Sequence, residues 1–162
     1  MLRVLDDRDM PAVLDLLDSD PVSNVFVASR VDAAGLSSDR LGAQLWGFGR
    51  GSRPTALCYA GANLVPIGAD DAALRAFSEF AARQGRRCSS IVGPSHMVER
   101  LWAGLEGAWG PARELRMCQP LMVTTQVPSE SIDTSVRRVR PNELELLLPA
   151  SIAMFTEEVG VS

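Results

Sequence analysis

Lysine is absent from this 162-residue sequence, so all 16 basic residues are arginines; the reading is arginine- and alanine-rich codon usage rather than a mechanism. Histidine and tyrosine occur once each, as His96 and Tyr59, and cysteine three times, as Cys58, Cys88 and Cys118. A single histidine and no paired CxxC exclude an ordinary zinc site, so no metal is expected. Three thiols set far apart in apolar runs point to reduced, buried cysteines rather than a disulfide framework. No stretch reaches the roughly 18 uninterrupted apolar residues of a membrane span. Asp6, Asp7 and Asp9 interrupt the first apolar residues, so neither a signal peptide nor a membrane anchor is read there. A positive field is missing too: the net charge is -4 and the pI about 5.0, which argues against phosphate backbones and anionic lipid as partners. A cytoplasmic location is expected, with no nucleic acid and no membrane as partner.

What is present suits a folded domain: 46% of residues are hydrophobic and 22% charged, enough apolar surface for one core. Leu2 to Leu5 reads as a strand, and Asp9 is expected to cap a helix carrying Met10, Val13, Leu14, Leu16 and Leu17. A second helix runs from Val22 to Gly35. Ala43–Phe48, Thr55–Ala60 and Asn63–Ile67 are three strand signals, the first two joined by a turn over residues 49–54. Asp70 and Asp71 open a periodic helix to Gln84, with Leu74, Phe77, Phe80 and Ala81 on one face. Cys88–Val92 is a buried-strand signal, Gly93-Pro94-Ser95 turns into a helix through Leu101 and Leu105, and residues 113–125 are expected to close the domain as a long strand broken by Pro120. The fold class is therefore α+β, a three-layer arrangement with a mixed, mostly antiparallel twisted sheet and helices on both faces. The expected division is a domain at 1–125, a linker at 126–135, and the start of a second domain at 136–162.

That second start repeats the first. Leu2-Arg3-Val4-Leu5 followed by Asp9-Met10 corresponds to Val136-Arg137-Arg138-Val139 followed by Glu143-Leu144, at a constant offset of 134 positions. Both copies carry an arginine-bearing strand, a polar turn and an acidic helix start. The apolar residues behind the second copy, Leu144, Leu146, Leu147, Leu148, Ile152, Met154 and Phe155, form too large a patch to face water without a partner. The expectation is a chain cut short within its second domain, with a homodimer or domain-swapped packing through residues 141–159 as an alternative cover.

Other features carry less chemistry. Gly47-x-Gly49-x-Gly51 follows a strand but enters a hairpin rather than a helix, so it reads as a turn and not a phosphate loop. His96, three residues before Glu99, lacks a nucleophile partner and reads as a surface or capping residue. Trp46, Trp102 and Trp109 read as core or rim packing, and Arg86-Arg87 and Arg137-Arg138 as solvated pairs. Asn63, Pro66, Gly93, Ser95 and His96 are the candidate residues of a ligand cleft between the third strand and the following strand–helix turn.

The element order is similar to the GNAT acetyltransferase fold. The segments 45–49 (LWGFG), 57–66 (LCYAGANLVP), 86–94 (RRCSSIVGP) and 109–114 (WGPARE) resemble an uncharacterised domain that precedes a GNAT domain in a group of high-GC bacterial proteins. The tail 138–162 resembles the opening of the GNAT domain that follows. The resemblance implies a parent protein that transfers an acetyl group from acetyl-CoA to an amine. A working GNAT domain holds the CoA pyrophosphate on backbone amides of an Arg/Gln-x-x-Gly-x-Gly/Ala loop at a helix start. Here the matching position reads Ile67-Gly68-Ala69-Asp70-Asp71-Ala72-Ala73-Leu74, with two carboxylates and no basic residue. The expectation is a first domain that binds no cofactor, has no catalytic residue and serves the second GNAT domain, its partner in the same protein. The alternative is a small-ligand or peptide-binding module.

Overall fold

Strands in the middle of a sheet covered on both faces read as continuous apolar runs, because alternate side chains enter two different cores. That is the arrangement in the computed structural model, which describes residues 1–51, 53–127, 131 and 133–159. Ser52 of the expected turn, residues 128–130 and 132 of the expected linker, and residues 160–162 lie outside the described residues. The chain divides into two compact units, Met1–Val123 and Thr124–Ser162.

In the first unit, β1 (Leu2–Val4), β2 (Gln44–Phe48), β3 (Ala56–Ala60), β4 (Asn63–Ile67) and β5 (Ser90–Ile91) form one sheet in chain order. The first three pairings are antiparallel and β4 with β5 is parallel. On one face α1 (Met10–Leu17) and α2 (Val25–Ala34) bury Val13, Leu17, Val27 and Val31 against Leu45, Leu57, Tyr59, Val65 and Ile67. A short α3 (Ser38–Leu41), absent from the sequence reading, adds Leu41 to that layer. On the other face α4 (Asp71–Gln84) and α5 (Ser95–Ala103) bring Leu74, Phe77, Ala81 and Leu101 onto Trp46, Cys58 and Leu64. The adjacent pairs Leu45/Trp46, Leu57/Cys58 and Leu64/Val65 thus serve opposite cores. The α+β sheet with helices on both faces follows from this layering.

Glycine is required where elements meet closely. Gly35 ends α2 at φ 70, a conformation that L-residues adopt only with strain. At Gly104, after α5, an added Cβ would run into Ser78 Oγ of α4. A second short helix, α6 (Glu106–Trp109), follows there.

Three expectations need correction. Asp9 makes no side-chain cap on α1. Asp6 instead caps a 3-10 turn, Asp7–Asp9, that leads into the helix, and the Asp9 carboxylate is turned back to accept two hydrogen bonds from Arg3, at 2.7 and 2.5 Å. The fifth strand spans two residues rather than Cys88–Val92. The Val92 N–H donates to the Leu64 carbonyl at 3.0 Å; two residues on, the same edge of β4 presents Pro66, which has no N–H to continue the ladder. Finally, residues 113–125 form no strand among the described residues, and Leu115, Met117, Leu121, Met122 and Val123 are exposed. An apolar alternation makes a strand only beside a ladder, and β5 offers too short an edge.

In the second unit the strand expected from Val136 does not form among the described residues; a 3-10 turn, Pro141–Glu143, leads into α7 (Leu144–Val159), whose large apolar side chains are exposed.

Candidate functional site

The five candidate cleft residues do not converge. Register sets Asn63 opposite Ser90, where its Oδ1 accepts a hydrogen bond from Ser90 Oγ at 2.6 Å. Three residues of strand, about 10 Å, then separate it from Pro66. Pro66 does meet the strand–helix turn: a Cβ built on Gly93 would lie 3.5 Å from Pro66 Cδ and 3.6 Å from its carbonyl oxygen. Those are ordinary packing distances, so β4 and the Gly93 turn touch at this level. Pro94 then starts α5, its carbonyl accepting from Met97 N–H at 2.9 Å and Val98 N–H at 3.0 Å. Ser95 and His96 are exposed in the first turn of that helix.

The start of α4, where the resemblance leads one to look for a pyrophosphate cradle, is occupied by the chain's own carboxylates. Gly68 adopts φ 59 and lets the chain turn out of β4. Asp70 is extended and its Oδ1 accepts from the Ala73 N–H at 2.8 Å, taking one of the amides a bound anion would use. Asp71 follows in the first turn, 3.4 Å from Arg100 Nε of α5. Both carboxylates complement the positive end of the helix, and Asp70 caps one of its first amides. The Gly47-x-Gly49-x-Gly51 run is a hairpin element: the Thr55 N–H returns to the Phe48 carbonyl at 2.8 Å and Gly49 N–H donates to the Met1 carbonyl at 3.2 Å.

The sequence reading missed an organised polar corner that occurs twice. In the first unit the Arg3 guanidinium grips Asp9 through two bonds, the Asp6 N–H donates to Asp9 Oδ2 at 3.1 Å, and the Asp9 N–H donates to the Asp6 carbonyl at 2.8 Å. In the second unit Arg137 grips Glu143 at 2.8 and 2.6 Å, the Arg140 N–H donates to Glu143 Oε2 at 2.8 Å, and the Glu143 N–H donates to the Arg140 carbonyl at 2.9 Å. Each arginine hydrogen bond, the largest influence, holds the Asp9 and Glu143 carboxyls below their ordinary range. All four hydrogen bonds recur at the 134-residue offset, and the arginine and the acid keep the same i, i+6 spacing. The longer glutamate reaches from the same backbone position as the aspartate.

The tryptophans pack as expected. Trp46 is buried edge-on against Phe80, with centroids 4.8 Å apart, and its Nε1–H donates to Gln44 Oε1 at 2.9 Å. A cavity of about 20 Å³ is lined by Trp46, Gln84, Cys88 and Trp109, room for about one water. The Trp109 Nε1 atom is buried and has no hydrogen-bond partner among the described residues. Cys58 and Cys88 are buried, and burial pushes both thiols upward in pKa, so neither is an activated nucleophile. Among the described residues no group of three or more His, Cys, Asp or Glu is placed to hold a metal ion. No described helix is long and apolar enough to cross a membrane.

Residues 43–147 match the family model of a domain of unknown function (DUF4081). No curated protein and no solved structure matches the chain.

Proposed function

The chain belongs to the DUF4081 family, and from that premise we propose that its first unit is the non-catalytic, substrate-shaping domain of a two-domain GNAT-type N-acyltransferase in the cytoplasm. The second domain, begun at Val136, carries the reaction. There the amine nitrogen attacks the acetyl carbonyl of acetyl-CoA, the carbon–sulfur bond breaks, and the CoA sulfur leaves as the thiol with the proton lost by the amine. Positioning of the amine and stabilisation of the developing oxyanion are what such a site supplies.

The single observation that carries this reading is the duplicated arginine–acid corner at a helix start, with Arg3–Asp9 and Arg137–Glu143 at the same offset in two separate units. A corner repeated with the same contacts supports the reading of two copies of one fold. The capped start of α4 supports the division of labour, because Asp70 and Asp71 occupy the place where the first copy would hold pyrophosphate. Acyl-CoA then has only the second copy to bind.

Calorimetric titration of acetyl-CoA tests the reading. The 162-residue chain is expected to give no heat of binding, and a polypeptide running on through a complete second domain is expected to bind. Micromolar affinity in the short chain would make residues 1–123 a cofactor domain and end the proposal.

A further inference from the structure

A buried donor that finds no acceptor in its own chain marks a place where something else completes the bond. Trp109 Nε1 is such a donor: the atom is buried and has no hydrogen-bond partner among the described residues. Its ring packs against the core that α4 and α5 share with the sheet, and it lines the cavity of about 20 Å³ together with Gln44, Trp46, Ala81 and Gly85. An indole N–H only donates, so the group it calls for is an acceptor.

Two residues of the same lining have acceptors with spare capacity. In a regular α-helix the Ala81 carbonyl takes the N–H of Gly85, but where α4 ends that N–H turns to the Ala82 carbonyl instead, at 3.3 Å. Gln44 Oε1 accepts from Trp46 Nε1–H at 2.9 Å and keeps a second lone pair. One donor and two acceptors are the complement of a water molecule, which takes one hydrogen bond and gives two. The volume fixes the number, because a water needs about 10–15 Å³ of such space; a second water or an organic ligand of several atoms does not fit. A cation is repelled by the indole N–H, and among the described residues no group of three or more His, Cys, Asp or Glu is placed to hold one.

We propose that this cavity is a binding site for a single water molecule, which accepts from Trp109 Nε1–H and donates to the Ala81 carbonyl and to Gln44 Oε1. The bridge joins α6 to the end of α4 and, through Gln44, to β2. It is favoured because a buried N–H without an acceptor costs its full desolvation, whereas holding one water costs only the freedom of that molecule. Every group in the bridge belongs to the first unit, so the inference stands apart from the acyltransfer reading.

The test is water-selective NMR on the 162-residue chain labelled with ¹⁵N-tryptophan, which gives one indole N–H signal for each of the three tryptophans. Trp109→Phe removes one signal and so assigns it. The Trp109 N–H is expected to show a cross-peak to water with opposite signs in the NOE and rotating-frame spectra, the mark of a water held longer than surface hydration. Ala81→Val adds two carbons to the cavity wall and is expected to abolish that cross-peak. Cys88→Ala is expected to keep it, because the Cys88 thiol lines the cavity but does not relay protons to the indole. Absence of the cross-peak in the wild type, its survival in Ala81→Val or its loss in Cys88→Ala overturns the site, and the wild-type spectrum decides alone if Ala81→Val does not fold. A crystal structure gives the second reading: a water about 2.7–3.2 Å from Trp109 Nε1 is expected, and a protein acceptor in its place overturns the bridge.

Discussion

Replacing Asp70 with serine and Asp71 with alanine changes the charge at the start of α4 while keeping its cap, because a serine hydroxyl at the same position also accepts from the Ala73 N–H. A phosphate oxygen about 4 Å from one carboxylate is opposed by roughly 4 kcal/mol at an effective dielectric near 20 and by about 1 kcal/mol in bulk water. Both residues are exposed, so the value for each lies towards the lower figure. The helix terminus offers an anion about 0.3–1 kcal/mol in return. Arg100, 3.4 Å from Asp71, offsets part of this repulsion, so about 2 kcal/mol from the two carboxylates is its upper end, and the wild-type chain is expected to disfavour pyrophosphate. Removing about 2 kcal/mol of repulsion corresponds to a gain in affinity of at most roughly 30-fold, since 1.4 kcal/mol is tenfold. Calorimetric titration of inorganic pyrophosphate at low ionic strength reads the difference, which is expected to shrink with salt. Asp70→Ala is the control for the cap, with an expected loss of about 1 kcal/mol of stability, or about 3–5 °C in Tm. Equal affinity of the wild type and the Asp70→Ser/Asp71→Ala variant for pyrophosphate would refute the argument that these carboxylates close the site.

Phe77 is the largest fully buried side chain, set between α4 and Phe48 of the sheet, so Phe77→Ala is expected to cost about 3–5 kcal/mol in denaturant unfolding. Asp9→Asn is expected to cost about 1.5–3 kcal/mol near neutral pH, the range of hydrogen bonds to a charged group. The Arg3 hydrogen bonds hold the Asp9 carboxyl below its ordinary value, so its contribution is complete above the unfolded pKa of about 3.9 and fades as pH falls beneath it through the folded value; wild type and variant should converge there in acid unfolding curves. Cys118 is exposed while Cys58 and Cys88 are buried, so a thiol reagent is expected to label one cysteine in the native protein and three after denaturation, counted by mass spectrometry.

The apolar runs at 44–48, 56–60 and 63–67 and the periodic helix from Asp71 were legible because each is a local pattern: buried strands read as continuous apolar segments and an amphipathic helix repeats every 3.6 residues. The repeat at 134 residues was legible for the same reason, and so were the two aspartates at the start of α4, whose capping role needs only the next three residues. The sequence by itself therefore determined the layers, the chain order and the chemistry of the α4 start.

The tertiary structure decided whatever depends on a distant neighbour. Residues 113–125 carry a strand-like apolar pattern broken at Pro120, yet they form no strand among the described residues: β5 spans two residues, too short an edge to pair with them, and Pro66 on the adjoining strand has no N–H with which to lengthen it. Asp9 has the composition of a helix cap, but Arg3 six residues earlier is close enough in space to claim its carboxylate. Asn63 and Ser95 lie on β4 and α5, with α4 and β5 between them in the sequence, and strand register sets Asn63 beside Ser90 and away from the helix start. Local propensity is written in a few adjacent residues, whereas pairing, register and the capture of one side chain by another are fixed only when the chain closes on itself.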